Sequence, residues 1–538
     1  MAIILVGVVV AAKSPGTSRA GRTVYVSPNG RNSNPCSQSA PCASFGRAYL
    51  AASPGDVVQV AGGSYPAQTL PADPTKDAAS SLVVFQPAPG ASVSLGGFEA
   101  GDNRKGVGPK HFELQNMTIA GEVKISWGTQ DVTLRNIDAG AINLTATQDV
   151  RVLGGDFGPR VDAVSHIKSC AGCPLSQNIL IDGATFHDYT ISDPANHAEC
   201  LMVWPGIDIT IRNSIFRNCT DFDLLYKPDG LSPGTTVNFT VENDFFDSPM
   251  PGNTATVSCD PNCPRGGNAL AFADNGNQTW NGVVVRYSSF LAGIRVDPGV
   301  TNVLVQANAG VKDKPFNCQS QVTFSYNVWT GATCSATDRM APLADIFVAP
   351  DESSFNLDLK DGSPAIGAGD PSSYPSRDIS GHLRPTTFPA DAGASQREPA
   401  LIVPGLAIGT ARIGATQAAL ESFYGPSRRT TKSKLASGSP VVVAEYRVRG
   451  GWLLVTYRGP TGVIVATTSR YYRTLKGLGP SAVVAASTSK RTACRPVGAG
   501  VGRARMYIRA SSGKRPVVTE LFVTARGVVP PCAVVKKR

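Results

Sequence analysis

A short motif recurs along the middle of this chain, and no other feature constrains the fold as strongly. It runs apolar, any residue, apolar, then a turn, then an apolar or aromatic residue seven positions after the start. It reads Phe112-Glu-Leu-Gln-Asn-Met-Thr-Ile119, Val132-Thr-Leu-Arg-Asn-Ile-Asp-Ala139, and then from Val150 to Phe157, Ile179 to Phe186, Ile209 to Phe216, Phe239 to Phe246, Val283 to Phe290, Val303 to Gly310 and Val322 to Trp329. Successive starts lie 20, 18, 29, 30, 30, 44, 20 and 19 residues apart. A floor near 20 with variable excess describes a fixed coil with loops inserted on one side, which is a solenoid. Period-two alternation and the dominance of Val, Ile, Thr and Phe make the unit β rather than α. Asn or Gly holds the fifth place in six of the nine units, at Asn116, Asn136, Gly154, Gly183, Asn213 and Asn243. A one-residue bend in left-handed backbone needs those types. Stacked coils then place Asn on Asn and Phe on Phe, and each coil buries its apolar side chains only against its neighbours.

Composition agrees. Gly 55 and Pro 40 supply turns, and a charged fraction of 17% excludes a coiled coil or a highly charged disordered chain. The net charge of +10 hides a split: 401–538 holds 23 Lys and Arg against Glu421, Glu445 and Glu520, a net of +20, which leaves −10 for 1–400. Opposite fields predict two parts, an acidic one suited to cations and a basic one suited to a polyanion. The apolar run Met1 to Ala12 is too short to span a bilayer and reads, with its small and polar sequel, as a secretory signal peptide and linker over 1–22. The 12 cysteines fall into near neighbours: Cys36/Cys42, Cys170/Cys173, Cys200/Cys219, Cys259/Cys263, Cys318/Cys334 and Cys494/Cys532. Such spacing predicts disulfides in an exported protein rather than zinc.

The opening and close carry a resemblance. The opening comprises Thr23-Val-Tyr-Val-Ser-Pro-Asn-Gly30, Pro41-Cys-Ala-Ser-Phe45, Ala48 to Ala52, and Pro54-Gly-Asp-Val-Val-Gln-Val-Ala-Gly-Gly-Ser-Tyr65. The close comprises Gly362-Ser-Pro-Ala-Ile-Gly-Ala-Gly369, Asp378-Ile-Ser-Gly-His-Leu-Arg-Pro385 and Ala390-Asp-Ala-Gly-Ala394. With the repeats between them, these segments resemble the secreted right-handed parallel β-helix proteins of the pectate-lyase-like superfamily. The likeness covers 23–396 and departs at Ser395-Gln396, where an aromatic and an acidic residue are usual. It implies a right-handed parallel β-helix with a helix capping the first coil. It also implies a binding groove along one sheet beside the long insertions 158–178, 187–198 and 247–267. It does not fix a reaction, because this fold hosts many functions. The Asn-Thr-Asp, Asp-Asp, Gly-His-Gly and Arg-Ile-Lys signatures of polygalacturonases are absent, as are Trp-x-Asp-His and Arg-x-Pro-x-x-Arg of the main pectate lyases.

Polar residues on the strands after those insertions are the candidate machinery. His197-x-Glu199-Cys200 resembles a His-x-Glu/Asp-Cys strand that recurs in bacterial β-helix proteins. His197, Glu199 and Asp223 are expected on adjacent coils about 5 Å apart, with Lys227 beside them as a fourth catalytic candidate. Two readings follow. Glu199 and Asp223 run acid/base hydrolysis of a glycosidic bond, or Glu199, Asp221 and Asp223 hold Ca²⁺ while Lys168, Lys227 or Arg295 removes a sugar C5 proton. His197 serves either scheme. Trp204, Lys168 and Arg295 are expected to bind substrate, an acidic polysaccharide or other envelope polyanion. The competing reading gives these residues structural work, with backbone hydrogen bonds from His197 and Glu199 and a staple at Cys200–Cys219. The function would then be that of a non-catalytic surface or adhesion β-helix. A tailspike-like depolymerase is a third class, with nothing in the sequence to suggest its trimer.

From about 404 the pattern changes. Ile408 to Pro426 reads as a turn then a short helix, with Ala415, Ala418, Ala419, Leu420 and Tyr424 able to share a face and Gly425-Pro426 ending it, and strands follow at Val441 to Val448, Trp452 to Tyr457, Val463 to Thr468 and within Val501 to Val523. Residues 404–532 are read as a small basic α/β domain closed by Cys494–Cys532. It resembles, weakly, the helix-on-sheet interaction modules of bacterial envelope lipoproteins and β-lactamase-inhibitor-like domains. Arg428, Arg429, Lys432, Lys434, Arg447 and Arg449 suit an anionic polymer. Nucleic acid is not expected as a partner, since no reading motif is present.

Overall fold

The computed structural model describes residues 21–525 apart from 103, 194–195, 251–266, 277, 314–317, 332, 352, 385–388, 398–401, 404–406, 410, 436, 449–450, 470–471, 473–494, 500–504 and 511–517. Among the described residues thirty strands join in one all-parallel sheet, a right-handed parallel β-helix, and a separate seven-stranded antiparallel sheet follows it. Two compact units divide the chain, residues 1–158 with 166–179 and residues 159–165 with 180–538.

The repeat frame read from the sequence is the pairing register. In the first unit Phe112 pairs with Val132, and Val132 with Val150. In the second, Ile209 pairs with Phe239, Phe239 with Val283, Val283 with Val303, and Val303 with Val322. The last residue of each motif forms a second inward column. Phe186, Phe216, Phe246 and Phe290 stack ring on ring, with centroids 5.1, 4.9 and 4.9 Å apart and planes within 9° of parallel. All four rings are fully buried.

Between these columns lies the left-handed bend, and it occurs in all nine units. Asn116, Asn136, Gly154, Gly183, Asn213 and Asn243 have φ between 50° and 79°, and so do Tyr287, Ala307 and Tyr326 at the same place. The amide of Asn136 donates to Asn116 Oδ1 at 2.9 Å, and that of Asn243 to Asn213 Oδ1 at 3.3 Å. Glycine is required at 154, since a Cβ there would lie 2.6 Å from Asn136 Oδ1. The change from Asn to Tyr has a visible cause. The closing segment covers this column: the Arg384 guanidinium donates to Asn243 Oδ1 at 2.8 Å and sits 4.7 Å over the Tyr287 ring. The Tyr287 hydroxyl in turn donates to the carbonyl of Asp370 at 3.1 Å. A left-handed residue with a Cβ costs about 1–2 kcal/mol, which the buried ring and its hydrogen bond offset.

A second left-handed column was not read from the sequence. The residue just before eight motif starts has positive φ: His111, Asp131, Asp149, Asn178, Asp208, Asn238, Gly282 and Asn302. These side chains also bond along the stack, with His111 Nδ1 2.8 Å from Asp131 and the Asn238 amide 2.7 Å from Asp208. Short Asx side chains recur there for the same reason that Asn recurs at the fifth place.

Inside the second unit a polar ladder runs through sixth-place residues. Backbone N–H groups of Ser214, Ser288 and Asn308 donate to the side chains of Asp244, Asn308 and Asn327 at 2.7, 2.9 and 3.0 Å. Asp244 is its one carboxylate that burial, above all, holds well above the ordinary range, with Glu242 and Asp182 adding to the rise. A carboxyl raised on folding contributes least at high pH, since the unfolded chain ionises freely there while the folded one resists. Asp244→Asn removes the ionisable group and keeps one oxygen for the Ser214 N–H, but sets its amide against the Glu242 N–H, which donates to the second carboxylate oxygen at 3.0 Å. We expect the stability of Asp244→Asn relative to wild type to rise by about 1–3 kcal/mol in denaturant between pH 4 and pH 8. A relative stability that does not rise with pH would contradict this.

The expected cap is present: helix Phe45–Ala51 starts at Ser44, whose hydroxyl accepts from the Arg47 N–H at 3.2 Å, and buries Phe45, Ala48 and Tyr49. Four expected disulfides are made, Cys36–Cys42, Cys170–Cys173, Cys200–Cys219 and Cys318–Cys334. The pairs Cys259/Cys263 and Cys494/Cys532 lie outside the described residues, as do the leader through residue 20 and most of 247–267.

In the tail, helix Gln417–Tyr424 is capped by Thr416 and packs Leu420 and Tyr424 against Ala444, Tyr446, Leu453 and Val455 on one face of the antiparallel sheet. Strands Pro440–Val448, Gly451–Arg458 and Thr461–Thr467 match their sequence expectations. The sequence reading missed Arg429–Lys434, a fully exposed strand at the sheet edge, because its Arg-Thr-Thr-Lys-Ser-Lys composition has no apolar alternation.

Candidate functional site

A third row of strands carries most of the candidate residues. In the second unit it comprises Leu201–Trp204, Phe222–Tyr226, Asn268–Phe272 and Ile294–Val296, paired in parallel through Leu201, Leu224, Leu270 and Ile294. Those leucines and isoleucine face the core. Alternation therefore sends Met202, Trp204, Leu225 and Arg295 to the opposite face.

His197 and Glu199 lie in the segment entering this row, beside the Cys200–Cys219 disulfide. His197 Nδ1 is 2.8 Å from Glu199 Oε1. The histidine side chain is 47% exposed and the glutamate 1%. Glu199 Oε2 is buried and has no hydrogen-bond partner among the described residues. Glu199 holds the imidazole in one orientation and raises its pKa, first by that hydrogen bond and then by charge. Lys227 opposes the rise and Asp221 supports it, so both belong to the same electrostatic site. Lys227 follows strand Phe222–Tyr226, its backbone N–H donating to the Val203 carbonyl at 2.8 Å. Its ammonium lies 5.8 Å from the ring centre of Trp204, which is 42% exposed.

The structure thus brings together His197, Glu199, Asp221, Lys227 and Trp204. Asp223 lies one coil from Cys200 by register and is fully buried. Glu199 was expected as an acid/base group facing substrate. It stands instead behind His197, and with Asp223 it is shut off from solvent, so the two do not form an accessible carboxylate pair. Alternation does not separate the two, since His197 and Glu199 share one parity and the segment entering strand Leu201–Trp204 is not itself a strand.

The Ca²⁺ set does not assemble either. Among the described residues no three His, Cys, Asp or Glu side chains converge as metal ligands, and Glu199 commits one oxygen to His197. Arg295 is fixed by two hydrogen bonds to Asp297, at 2.7 and 2.9 Å. That partner raises its pKa further and removes it as a candidate base. Lys168 ends strand Ser165–Lys168 in the first unit, opposite Thr145, with its side chain part-exposed. No helix among the described residues is long and apolar enough to cross a membrane.

No protein-family model matches the chain, and no curated protein matches it. Among solved structures it is similar to pectate lyase Pel9A, with 16% identity, 70% of this chain and 97% of that chain covered, and a TM-score of 0.33. It is also similar to the A-module of mannuronan C-5 epimerase AlgE4 from Azotobacter vinelandii, with 12% identity, 50% and 91% covered, and a TM-score of 0.29. A rhamnogalacturonan lyase gives 14% identity, 64% and 96% covered, and a TM-score of 0.27. These likenesses carry no argument about chemistry; the fold stands on the strand register above.

Proposed function

We propose that the protein is an exported, carbohydrate-active β-helix that binds an acidic polysaccharide and cleaves it by β-elimination, with His197 as the base. The observation that carries this reading is the half-exposed imidazole bonded through Nδ1 to a buried carboxylate. A proton on Nδ1 shared with Glu199 leaves Nε2 to accept one from substrate, and the carboxylate stabilises the imidazolium that results. Nε2 takes the C5 proton of a uronate unit. The freed electron pair forms the C4–C5 double bond as the C4–oxygen bond breaks, the departing oxygen takes a proton from water, and the hydroxide so formed recovers the C5 proton from the His197 imidazolium. The Lys227 ammonium balances charge building on the uronate carboxylate, and the Trp204 ring offers a platform for the apolar face of a sugar.

The tail supports an anionic partner. Strand Arg429–Lys434 is exposed throughout, and the Arg428 guanidinium lies 5.0 Å from the Trp452 ring centre. Four disulfides suit an oxidising compartment. A non-catalytic surface protein is the second reading, favoured by the burial of Glu199 and Asp223 next to a disulfide.

The test is a panel of acidic and neutral polysaccharides, with Ca²⁺ and with chelator, scored for new double bonds and for reducing ends. Unsaturated products in both conditions are expected. Reducing ends without double bonds would replace the lyase by a hydrolase, dependence on Ca²⁺ would restore a metal, and retention of glycan without products would favour the second reading.

A further inference from the structure

We infer that the first compact unit holds a carbohydrate-binding cleft of its own, which takes a neutral pyranose unit and shares no residue with the His197 site. The inference deepens the proposed function and rests on it for the ligand being a glycan. The cleft encloses about 320 Å³ and is lined by Trp127, Lys110, Asp77, Gln148 and Thr129 among others. That is the small end of the ~300–1,000 Å³ range of ligand pockets, suited to a mono- or disaccharide.

Its chemistry suits a sugar, which presents an apolar face of C–H groups and a rim of hydroxyls that both donate and accept. Trp127 is part-exposed and supplies the apolar wall. Two glycines set that wall. At Gly106 a Cβ would lie 2.8 Å from the indole ring, and at Gly128 a Cβ would lie 2.5 Å from the Gly106 backbone. Only side-chain-free backbone allows the two loops to approach so closely, and their contact fixes the ring before any ligand arrives, which lowers the ordering cost of binding.

The polar groups are of both kinds. The Gln148 side chain is part-exposed and makes no hydrogen bond among the described residues, so both a donor and an acceptor remain for a ligand. Lys110 and Asp77 face each other at 3.5 Å. That pair decides the ligand's charge. The ammonium is already balanced by a carboxylate, so a uronate would gain no free cation and would meet Asp77, whereas a neutral hydroxyl can accept from one and donate to the other.

Calorimetric titration of the full chain with neutral hexose and pentose oligosaccharides, and with uronate oligosaccharides, tests this. A neutral oligosaccharide is expected to bind wild type and His197→Ala equally. Trp127→Ala should weaken it tenfold or more, and Gln148→Ala severalfold; the latter substitution is part-exposed and keeps the fold should the former lose it. Neutral binding unchanged in both cleft variants would overturn the inference, as would a uronate bound more tightly in a Trp127-dependent way. Absence of neutral binding while uronate polymer is still cleaved would overturn the cleft alone. Absence of all glycan binding and cleavage would overturn the cleft and the proposed function together.

Discussion

Phe216→Ala should destabilise the coils by about 3–5 kcal/mol, the cost of emptying a fully buried aromatic site. Phe216 has stacked rings on both sides, Phe186 at 5.1 Å and Phe246 at 4.9 Å, so its loss opens a void between two faces that rigid, parallel-paired strands cannot bring together. Register fixes the spacing: Phe186 pairs with Phe216, and Phe216 with Phe246. Collapse of the site would need the backbone ladder to break. Phe216→Leu retains much of the volume and should cost less than half as much. Denaturant unfolding followed by far-ultraviolet circular dichroism checks both. A loss under about 1 kcal/mol for Phe216→Ala, well below ordinary core truncation, would mean that the ring stack is not a principal support.

The second large effect concerns Glu199, as a positioning residue. Glu199→Gln keeps a hydrogen-bond acceptor for the His197 Nδ1 proton and removes the charge. The raised pKa of His197 comes first from its bond to Glu199 and then from that charge. The neutral imidazole is the base, so activity should rise with pH through the histidine pKa, which Glu199 raises from its ordinary value in wild type. In Glu199→Gln the acid limb should move to lower pH while kcat falls about 10²–10⁴-fold, the usual span of acid–base assistance. KM should change little, because the carboxylate is buried and does not reach substrate. A structural role alone would lower stability without moving the limb, and an unmoved limb with reduced kcat would contradict the assignment.

Much of this was legible in the sequence because a solenoid writes its geometry into its period. The residues at the motif starts are the same residues that pair across coils, and the Asn and Gly bends are left-handed as their chemistry requires. Tyr287 breaks the pattern for a reason that lies in the closing segment, where Arg384 sits over its ring and the Asp370 carbonyl accepts from its hydroxyl. Contacts between distant segments leave no periodic trace. The site was legible in part. His197 and Glu199 do interact, but they share one parity and lie in a segment that is not itself a strand, so alternation does not say which of them is buried. The expected convergence of Glu199, Asp221 and Asp223 failed for a related reason. Closeness in sequence and coil number does not aim three side chains at one point. Trp127 and its cleft escaped notice because its glycines and polar partners come from separate turns, each unremarkable alone.

The most direct measurement follows absorbance from new double bonds as purified wild type and His197→Ala act on a uronic-acid polysaccharide, with binding to the same polymer recorded in parallel. The account predicts unsaturated product from wild type, loss of about 10²-fold or more in His197→Ala, and retained binding in both. An equal rate from the variant would contradict it, as would a wild type that binds the polymer and releases no unsaturated product.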